Sequence, residues 1–472
     1  MAQSYEMVVG LEVHIELKTQ TKIFCGCPTT FGAEPNTQCC PVCTGMPGAL
    51  PVLNRQVVDY AVKAGLATHC AIAPYSKQDR KNYFYPDLPK AYQISQYDLP
   101  LCLNGYLDIE SPGGVKRVGI TRIHIEEDAG KLIHDPQLGT LIDCNRCGVP
   151  LIEIVSAPDI RSAQEAVSYL KKLRAIILYT GISDCRMNEG SMRCDVNLSV
   201  RPAGTDMLGT RTEIKNLNSF QFVQKAIESE YQRQVDALTQ GEAIVQQTRR
   251  FDPASGATFS MRAKEDANDY RYFPDPDLPP ILTSQEQIDR LQAQIPMLPD
   301  QRKALYMEQY GLSSLASETL VTDAQTADYF EKAAALCRYP RLLGNLITTE
   351  AYRLMDAEEA DIPIQPLHMA ALADLLGEES ISFSTAKRAL TELWQTDQDP
   401  RTWVQDHDLM QINDPAQLIP TVEAVLAQEA RLAERYRSGK ANALQALTGK
   451  ALAATGGKGN PAVLQRLLKE RL

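Results

Sequence analysis

No stretch of this 472-residue chain approaches the run of about 18 apolar residues that a membrane helix needs, so no membrane span is expected. The first residues, MAQSYEMVVGLEVH, lack a basic segment followed by an apolar stretch and a cleavage site. No secretory leader is therefore expected, and the cytoplasm is the expected compartment. Neither a GxxxxGK[ST] phosphate loop nor a GxGxxG turn occurs, so any nucleotide site must be of another kind. Internal repeats and low-complexity tracts are also lacking. Positive charge is scarce: 48 Lys and Arg against 59 Asp and Glu leave a net charge of −11. That balance argues against a protein that coats nucleic acid over its whole surface.

What is present is the composition of a globular protein, 44% hydrophobic and 23% charged. The length exceeds one ordinary hydrophobic core, so two or three domains are expected. Residues from about 5 to about 290 read as strand-rich. Alternating segments recur at Leu11–Lys18, Gly119–Glu126, Arg193–Arg201 and Arg211–Lys215. Helical patterns interrupt them at Asn54–Ala67, Ser162–Thr180 and Gln221–Leu238. The texture changes near Pro296–Pro299, after which Ala, Leu, Glu and Gln dominate and helices are expected. Asp300 reads as the cap of a helix through Tyr310, and Asn460 as the cap of the last helix, with Pro461 in its first turn. A second break falls near Asp361–Pro366. The expected fold class is α+β: an antiparallel-sheet-rich domain at 1–295, a helical domain at 296–405 and a small helical tail at 406–472.

Three strand segments carry the chemistry. In Gly10–Lys18, Leu11, Val13, Ile15 and Leu17 alternate with Glu12, His14, Glu16 and Lys18, so the polar set shares one sheet face. One such strand alone is well explained as a solvated face. In Ile120–Lys131, Arg122, His124 and Glu126 share a face, and Glu126, Glu127 and Asp128 close the strand. In Pro150–Val155 a single Glu153 sits in an apolar run, where an unpaired carboxylate is costly; it must be paired, protonated or coordinating. Together these carboxylates and His14 form a donor set that suits Mg²⁺. Arg80, Lys81, Lys90, Lys131 and Arg146 lie in nearby segments. Acids that hold a metal beside cations are what phosphoryl transfer needs, because charge develops on the phosphate oxygens.

The chain has twelve cysteines, and Cys25–Gly26–Cys27 followed by Cys39–Cys40–Pro41–Val42–Cys43 gives a C-x-C and C-x-x-C arrangement. Cys25, Cys27, Cys40 and Cys43 can close a tetrahedral structural Zn²⁺ site, with Cys39 an alternative to Cys40. Cys144 and Cys147 form a second C-x-x-C with no evident partner pair. Charge is also uneven along the chain. Between Arg431 and Leu472 nine Lys or Arg outweigh two Glu, a local +7 that leaves −18 on the rest. Arg435, Arg437, Lys440 and Lys458 in this tail are candidates for phosphate contacts; a solvated helical end is the bland alternative.

Several stretches carry a resemblance. In chain order they are GLEVHIELKT, FGAEPNTQ, DRKNYFYPDLPKAYQISQYD, ITRIHIEEDAGK, NRCGVPLIEIVSAPDIRS, EGSMRCDVNLSVRP, TEIKNLNSF, RRFDPASG, DYRYFPDPDLPP and, near the end, ATGGKGNP. In these the sequence resembles the B-subunit (GatB) family of the tRNA-dependent amidotransferases, over essentially the whole chain. The resemblance implies a ligase forming carbon–nitrogen bonds with glutamine as amido donor. ATP phosphorylates the side-chain carboxylate of misacylated Glu-tRNA(Gln) or Asp-tRNA(Asn), and channelled ammonia then displaces the phosphate. It implies two partners in a heterotrimer, the A and C subunits, the former releasing the ammonia, and a tail that touches tRNA. By resemblance the Mg²⁺ falls to His14, Glu127 and Glu153, with Glu12 and Glu126 as second-site or outer-shell ligands. Lys90 and Glu127 resemble a charged pair at the ammonia entrance, with Tyr83 and Tyr92 beside it. Arg80, Lys81 and Arg146 are assigned to ATP from charge alone. Two rival readings are a stand-alone Mg²⁺-dependent phosphohydrolase and a non-catalytic RNA-binding module.

Overall fold

The computed structural model describes residues 4–261, 270–355 and 362–472. The chain forms two compact units, 1–298 and 299–472.

The first unit is built on strands. In chain order they are β1 (Tyr5–Glu16), β2 (Ala71–Ile72), β3 (Tyr75–Ser76), β4 (Asp79–Asn82), β5 (Tyr92–Ser95), β6 (Cys102–Ser111), β7 (Gly114–Glu127), β8 (Lys131–Asp135), β9 (Gly139–Asp143), β10 (Pro150–Ser156), β11 (Met192–Pro202), β12 (Thr212–Leu217), β13 (Gln247–Asp252), β14 (Ala257–Ser260), β15 (Phe273–Pro274) and β16 (Ile281–Leu282). Nine of these make the main sheet, ordered β14-β13-β12-β11-β1-β10-β7-β6-β2. Its neighbours run antiparallel except β12 and β13. That pair is parallel because the helix Phe220–Thr239 carries the chain back across the sheet between them. Two small sheets, β15-β4-β5 and β16-β3, and the β8-β9 hairpin complete the unit.

Helices α1 (Arg55–Ala67), α2 (Ala163–Thr180) and α3 (Phe220–Thr239) pack with the apolar strand positions. Local chemistry fixes their starts. The side chains of Asn54, Ser162 and Ser219 accept hydrogen bonds from the backbone N–H of Gln56, Glu165 and Phe222. Gly181, at φ +71, ends α2 in the left-handed turn that glycine tolerates best. Leu11, Val13 and Ile15 of β1, Ile123 and Ile125 of β7, and Ile152 and Ile154 of β10 share one core with Ala61, Val62, Tyr169, Leu173 and Val223 of the helices. Period-2 alternation then leaves Glu12, His14, Glu16, His124, Glu126 and Glu153 on the other face.

The second unit is helical. One apolar cluster joins Tyr306, Phe330, Leu343, Leu372, Leu390 and Trp403. A separate one joins Leu418, Val422, Leu447, Leu464 and Leu468. The first helix spans Pro299–Gln309, so Asp300 lies inside its first turn instead of capping it; Pro299 takes the leading position. Asn460 caps Pro461–Arg471 as expected, its side chain accepting from the N–H of Ala462 at 2.9 Å. Of the break expected at Asp361–Pro366, Asp361 lies outside the described residues, and Pro366 opens the helix Pro366–Gly377. Among the described residues no helix is long and apolar enough to cross a membrane.

Candidate active site

Strand register aligns the polar residues in rows. His14 stands opposite Glu153 on one side and Arg193 on the other, and Glu153 stands opposite His124. One row across four strands therefore reads Arg193, His14, Glu153, His124. His14 Nε2 lies 3.4 Å from Glu153 Oε2, and His124 Nε2 lies 3.6 Å from the same oxygen and 3.3 Å from Glu126 Oε1. One ligand atom each from His14, Glu126 and Glu153 fall within 4.8 Å of one another.

The electrostatics suit a cation. Burial opposes a charge on Glu153, but His124 and His14 hold it below the usual carboxylate range. Glu126 is lowered too, against its burial and the charge of Glu153, by Lys81 and His124. Burial likewise opposes a proton on His14, yet the hydrogen bond and charge of Glu153 bring its pKa up to about 9. The cluster thus draws a positive charge to its centre. Ionised oxygens with one imidazole are a donor set in which a divalent cation can replace that proton.

Ser95 Oγ donates to Glu126 Oε1 at 2.6 Å and Gln93 Nε2 to Glu126 Oε2 at 3.2 Å, so β5 fixes this carboxylate. Glu127 does not join the group. It pairs with Lys90 and accepts the backbone N–H of Ile94 at 2.9 Å. Adjacent strand residues point to opposite faces, so of two neighbouring acids only one reaches His14. On this geometry His14 and Glu153 are joined by Glu126, while Glu127 of the expected set His14, Glu127, Glu153 stands with Lys90.

Lys90, Tyr92 and Glu127 line a cavity of about 300 Å³ whose wall includes Lys22, Phe24, Cys25 and Cys43. Cys25, Cys27, Cys40 and Cys43 offer four sulfurs within 4.8 Å of one another. Tetrahedral Zn²⁺ with bonds of about 2.3 Å puts its sulfurs about 3.8 Å apart, so the arrangement fits a structural zinc. Lys22, fully buried, donates to Cys43 Sγ at 3.6 Å and to the Cys144 carbonyl at 3.3 Å. The Cys43 thiol is brought down to about 4, first by Cys25 and also by Lys22. Cys39 instead donates to the Asn36 carbonyl at 3.3 Å and is not among the four. Gly45, at φ +68, lies so close to Lys90 that an added Cβ would meet the lysine Cγ at 2.5 Å. The cysteine loop and the Lys90–Glu127 pair therefore touch.

Glu12 joins a different group, with Asp195 and Glu213. Lys215 already supplies a cation there, at 2.9 Å from Asp195 and 2.7 Å from Glu213, and Asn197 donates to Glu12 at 2.9 Å. Asp195, Glu213 and Lys215 carry no signal in the sequence beyond lying on or near expected strands; the order of β12, β11 and β1 brings them to Glu12.

The three cations assigned to ATP separate. Arg80 is held by Asp275 at 2.7 Å and Asp277 at 2.9 Å and lies over the Tyr92 ring. Arg146 donates to the carbonyls of Ala129 and Gly130 at 2.9 and 2.8 Å, which makes it a brace of that turn. Both guanidinium groups are thus engaged through their Nε and Nη2 atoms. Lys81 makes no ion pair among the described residues. Its Nζ lies 5.1 Å from the Tyr270 ring, and its charge acts on Glu126 and Glu153. Tyr83, expected beside the ammonia entrance, lies at Lys81 and Tyr270 instead of in the Lys90 cavity; Tyr92 does line that cavity. In the tail, Lys458 pairs with Asp408, and Arg437 with Glu434 at 3.7 Å. Arg435 and Lys440 are exposed and make no ion pair among the described residues.

The profile of the GatB/GatE catalytic domain family matches residues 7–289, and that of the GatB domain matches residues 328–472. The chain is 52% identical to the B subunit of the aspartyl/glutamyl-tRNA(Asn/Gln) amidotransferase of Caldicellulosiruptor saccharolyticus, covering 99% of both. It is 52% identical to that of Carboxydothermus hydrogenoformans, over 100% of this chain and 99% of the other. With that of Geobacter sulfurreducens the identity is 50%, again over 99% of both.

Proposed function

This chain belongs to the B-subunit family of the tRNA amidotransferases, and from that premise we propose that it amidates an amino acid already attached to tRNA, at the His14–Glu126–Glu153 cluster. The substrates are misacylated Glu-tRNA(Gln) or Asp-tRNA(Asn). Its partners are the A and C subunits of the assembly: the first releases ammonia from glutamine, and the second joins the other two. The division 1–295, 296–405 and 406–472 assigns catalysis to the first part and tRNA contact to the tail.

The chemistry follows from the substrate. A carboxylate resists attack until one oxygen becomes a leaving group. The side-chain carboxylate attacks the γ-phosphorus of ATP, the bond from that phosphorus to the β-phosphate oxygen breaks, and ADP leaves. Ammonia then attacks the acyl carbon of the acyl phosphate, the carbon–oxygen bond breaks, phosphate departs and one proton is lost. Mg²⁺ held by His14, Glu126 and Glu153 would neutralise the transferring phosphoryl group. Lys81 faces the same acids and places a second positive charge beside the phosphate. Ser95, Gln93 and His124 fix the carboxylates. Lys90 and Glu127 form the polar gate through which ammonia enters, braced by the cysteine loop that Zn²⁺ would hold closed.

The observation that carries this reading is the convergence of His14, Glu126 and Glu153 next to Lys81, which has no ion-pair partner among the described residues. The test is reconstitution with the A and C subunits, glutamine, ATP and Glu-tRNA(Gln) or Asp-tRNA(Asn). Amidated tRNA with one ADP per product is expected. Product formed without ATP would defeat the phosphorylation step. ATP hydrolysis at full rate without tRNA would favour the phosphohydrolase.

A further inference from the structure

Beyond Lys81 the acid cluster gives way to rings. Lys81 Nζ lies 5.1 Å from the centre of Tyr270 and 6.0 Å from that of Tyr83. Tyr83 and Tyr270 meet edge to face at 6.0 Å, Tyr270 and Tyr272 do so at 6.0 Å, and Tyr272 stacks flat on Tyr97 at 4.4 Å with 10° between the planes. The row thus runs from the acids through Lys81 to Tyr97. Tyr97 is 54% exposed even though one face is stacked, and Tyr85 and Phe84 nearby in sequence are 59% and 90% exposed.

The backbone beneath the row is strained. Arg271, between the two tyrosines, has φ +44, a conformation an L side chain rarely adopts. Asn82 holds it there. Its side-chain amide donates to the carbonyls of Arg271 at 2.8 Å and Tyr270 at 3.3 Å, and its backbone N–H donates to Tyr270 at 2.9 Å. Tyr97 is anchored too, its N–H donating to Asp79 Oδ2 at 3.0 Å. An aromatic row that is half-buried at Tyr270 and Tyr272 and exposed at Tyr97, and fixed from below, costs conformational freedom and leaves apolar surface in water at its open end. Burial against a planar ligand recovers both.

We propose that the row Tyr270–Tyr272–Tyr97 is a stacking platform for an unpaired nucleobase whose phosphate or acyl end lies at Lys81 and the acid cluster. The inference rests on the proposed function, which places two such nucleotides here. One is the adenine of ATP; the other is the terminal nucleotide of the tRNA, whose ribose carries the amino acid to be phosphorylated. Both present a flat base one nucleotide's reach from a reacting phosphate or carboxylate. Stacking reads neither base sequence nor partner strand, which suits an enzyme whose tRNA substrates differ.

The test uses the full chain assembled with the A and C subunits and supplied with ammonium chloride as nitrogen source. Tyr97→Ala and Tyr272→Leu are compared with Tyr97→Phe and Tyr97→Trp. Loss of a stacked base is expected to raise one KM by roughly fivefold to a hundredfold. Tyr97→Phe and Tyr97→Trp should stay near wild type. A rise in the KM for ATP alone identifies the ATP adenine, and a rise for misacylated tRNA alone identifies the RNA terminus. Tyr97 is exposed, so Tyr97→Ala should fold, and its unfolding temperature checks this. If both KM values stay within twofold of wild type in Tyr97→Ala and Tyr272→Leu, the platform is overturned. Failure of the proposed function shows differently: the wild-type assembly then makes no ATP-dependent product.

Discussion

Glu126 and Glu127 are adjacent in the chain and belong to different sites. Glu126 stands with His14 and Glu153 and is held by Ser95 and Gln93; Glu127 pairs with Lys90 beside the cysteine cluster. The separation is a consequence of strand pleat: β7 stays in regular register with β10 through both residues.

The two acids should fail in different ways. Glu126→Gln is expected to lower tRNA-dependent ADP formation by about a hundredfold or more, whichever nitrogen source is given, because one carboxylate of the proposed cation site would be lost. Glu127→Gln should keep ADP formation within about tenfold and impair glutamine-dependent amidation more than ammonium-dependent amidation. Parallel assays of ADP and amidated tRNA check this. Equal loss of ADP formation in both variants would return Glu127 to the metal set.

Lys81 and Arg146 offer a similar contrast. Lys81→Met should reduce ADP formation by about a hundredfold with little change in thermal stability, since it faces the acids without an ion pair among the described residues. Arg146→Met removes donors to the carbonyls of Ala129 and Gly130 and should instead lower stability by about 1–3 kcal/mol. Urea unfolding and single-turnover kinetics separate the two.

Zinc affinity should depend on Lys22 as well as on the four cysteines. Cys40→Ser and Cys43→Ser should abolish stoichiometric zinc, measured by elemental analysis. Lys22→Met removes the buried ammonium beside Cys43 and should weaken zinc binding by about tenfold to a hundredfold in competition with a chelator. Undiminished zinc in Lys22→Met would show that the lysine only fills space.

The acid limb of stability should carry the signature of Glu230. Burial alone would raise this carboxyl, but hydrogen bonds from Arg233, Gln234 and Thr258 hold it below its ordinary value. A folded-state pKa below the unfolded one stabilises at pH above about 4.3, and the contribution disappears as pH falls through the folded value. Glu230→Gln leaves Arg249 and Arg233 without their carboxylate. It should cost about 3–5 kcal/mol at pH 7 and clearly less at pH 3. Urea unfolding at the two pH values measures the difference, and an equal loss at both would contradict it.

In the tail, Arg435→Ala with Lys440→Ala should weaken tRNA binding and reduce the slope of log K against log salt by roughly one to two. Lys458→Ala should do less, because that ammonium already pairs with Asp408. An unchanged slope in the double variant would mean that the exposed charges are only a solvated surface.

The sequence by itself determined the alternation of Leu11, Val13 and Ile15 with Glu12 and His14, the helical segments of α1 and α2, the capped start of the last helix, and the four-cysteine spacing. Each is local: a period, a cap or a loop length fixes it within a few residues. The antiparallel strands carrying Glu126 and Glu153 were legible for the same reason. Only the tertiary structure decided which strands lie side by side, and so which polar residues meet. The order β12-β11-β1-β10-β7 puts Lys215 and Asp195 beside Glu12, and Glu153 between two histidines. The small β15-β4-β5 sheet spends Arg80 on Asp275, some 195 residues away, and leaves Lys81 facing the acids. Charge in the sequence names the candidates. Only the pairing of distant strands determines which cation is already neutralised and which has no ion-pair partner among the described residues.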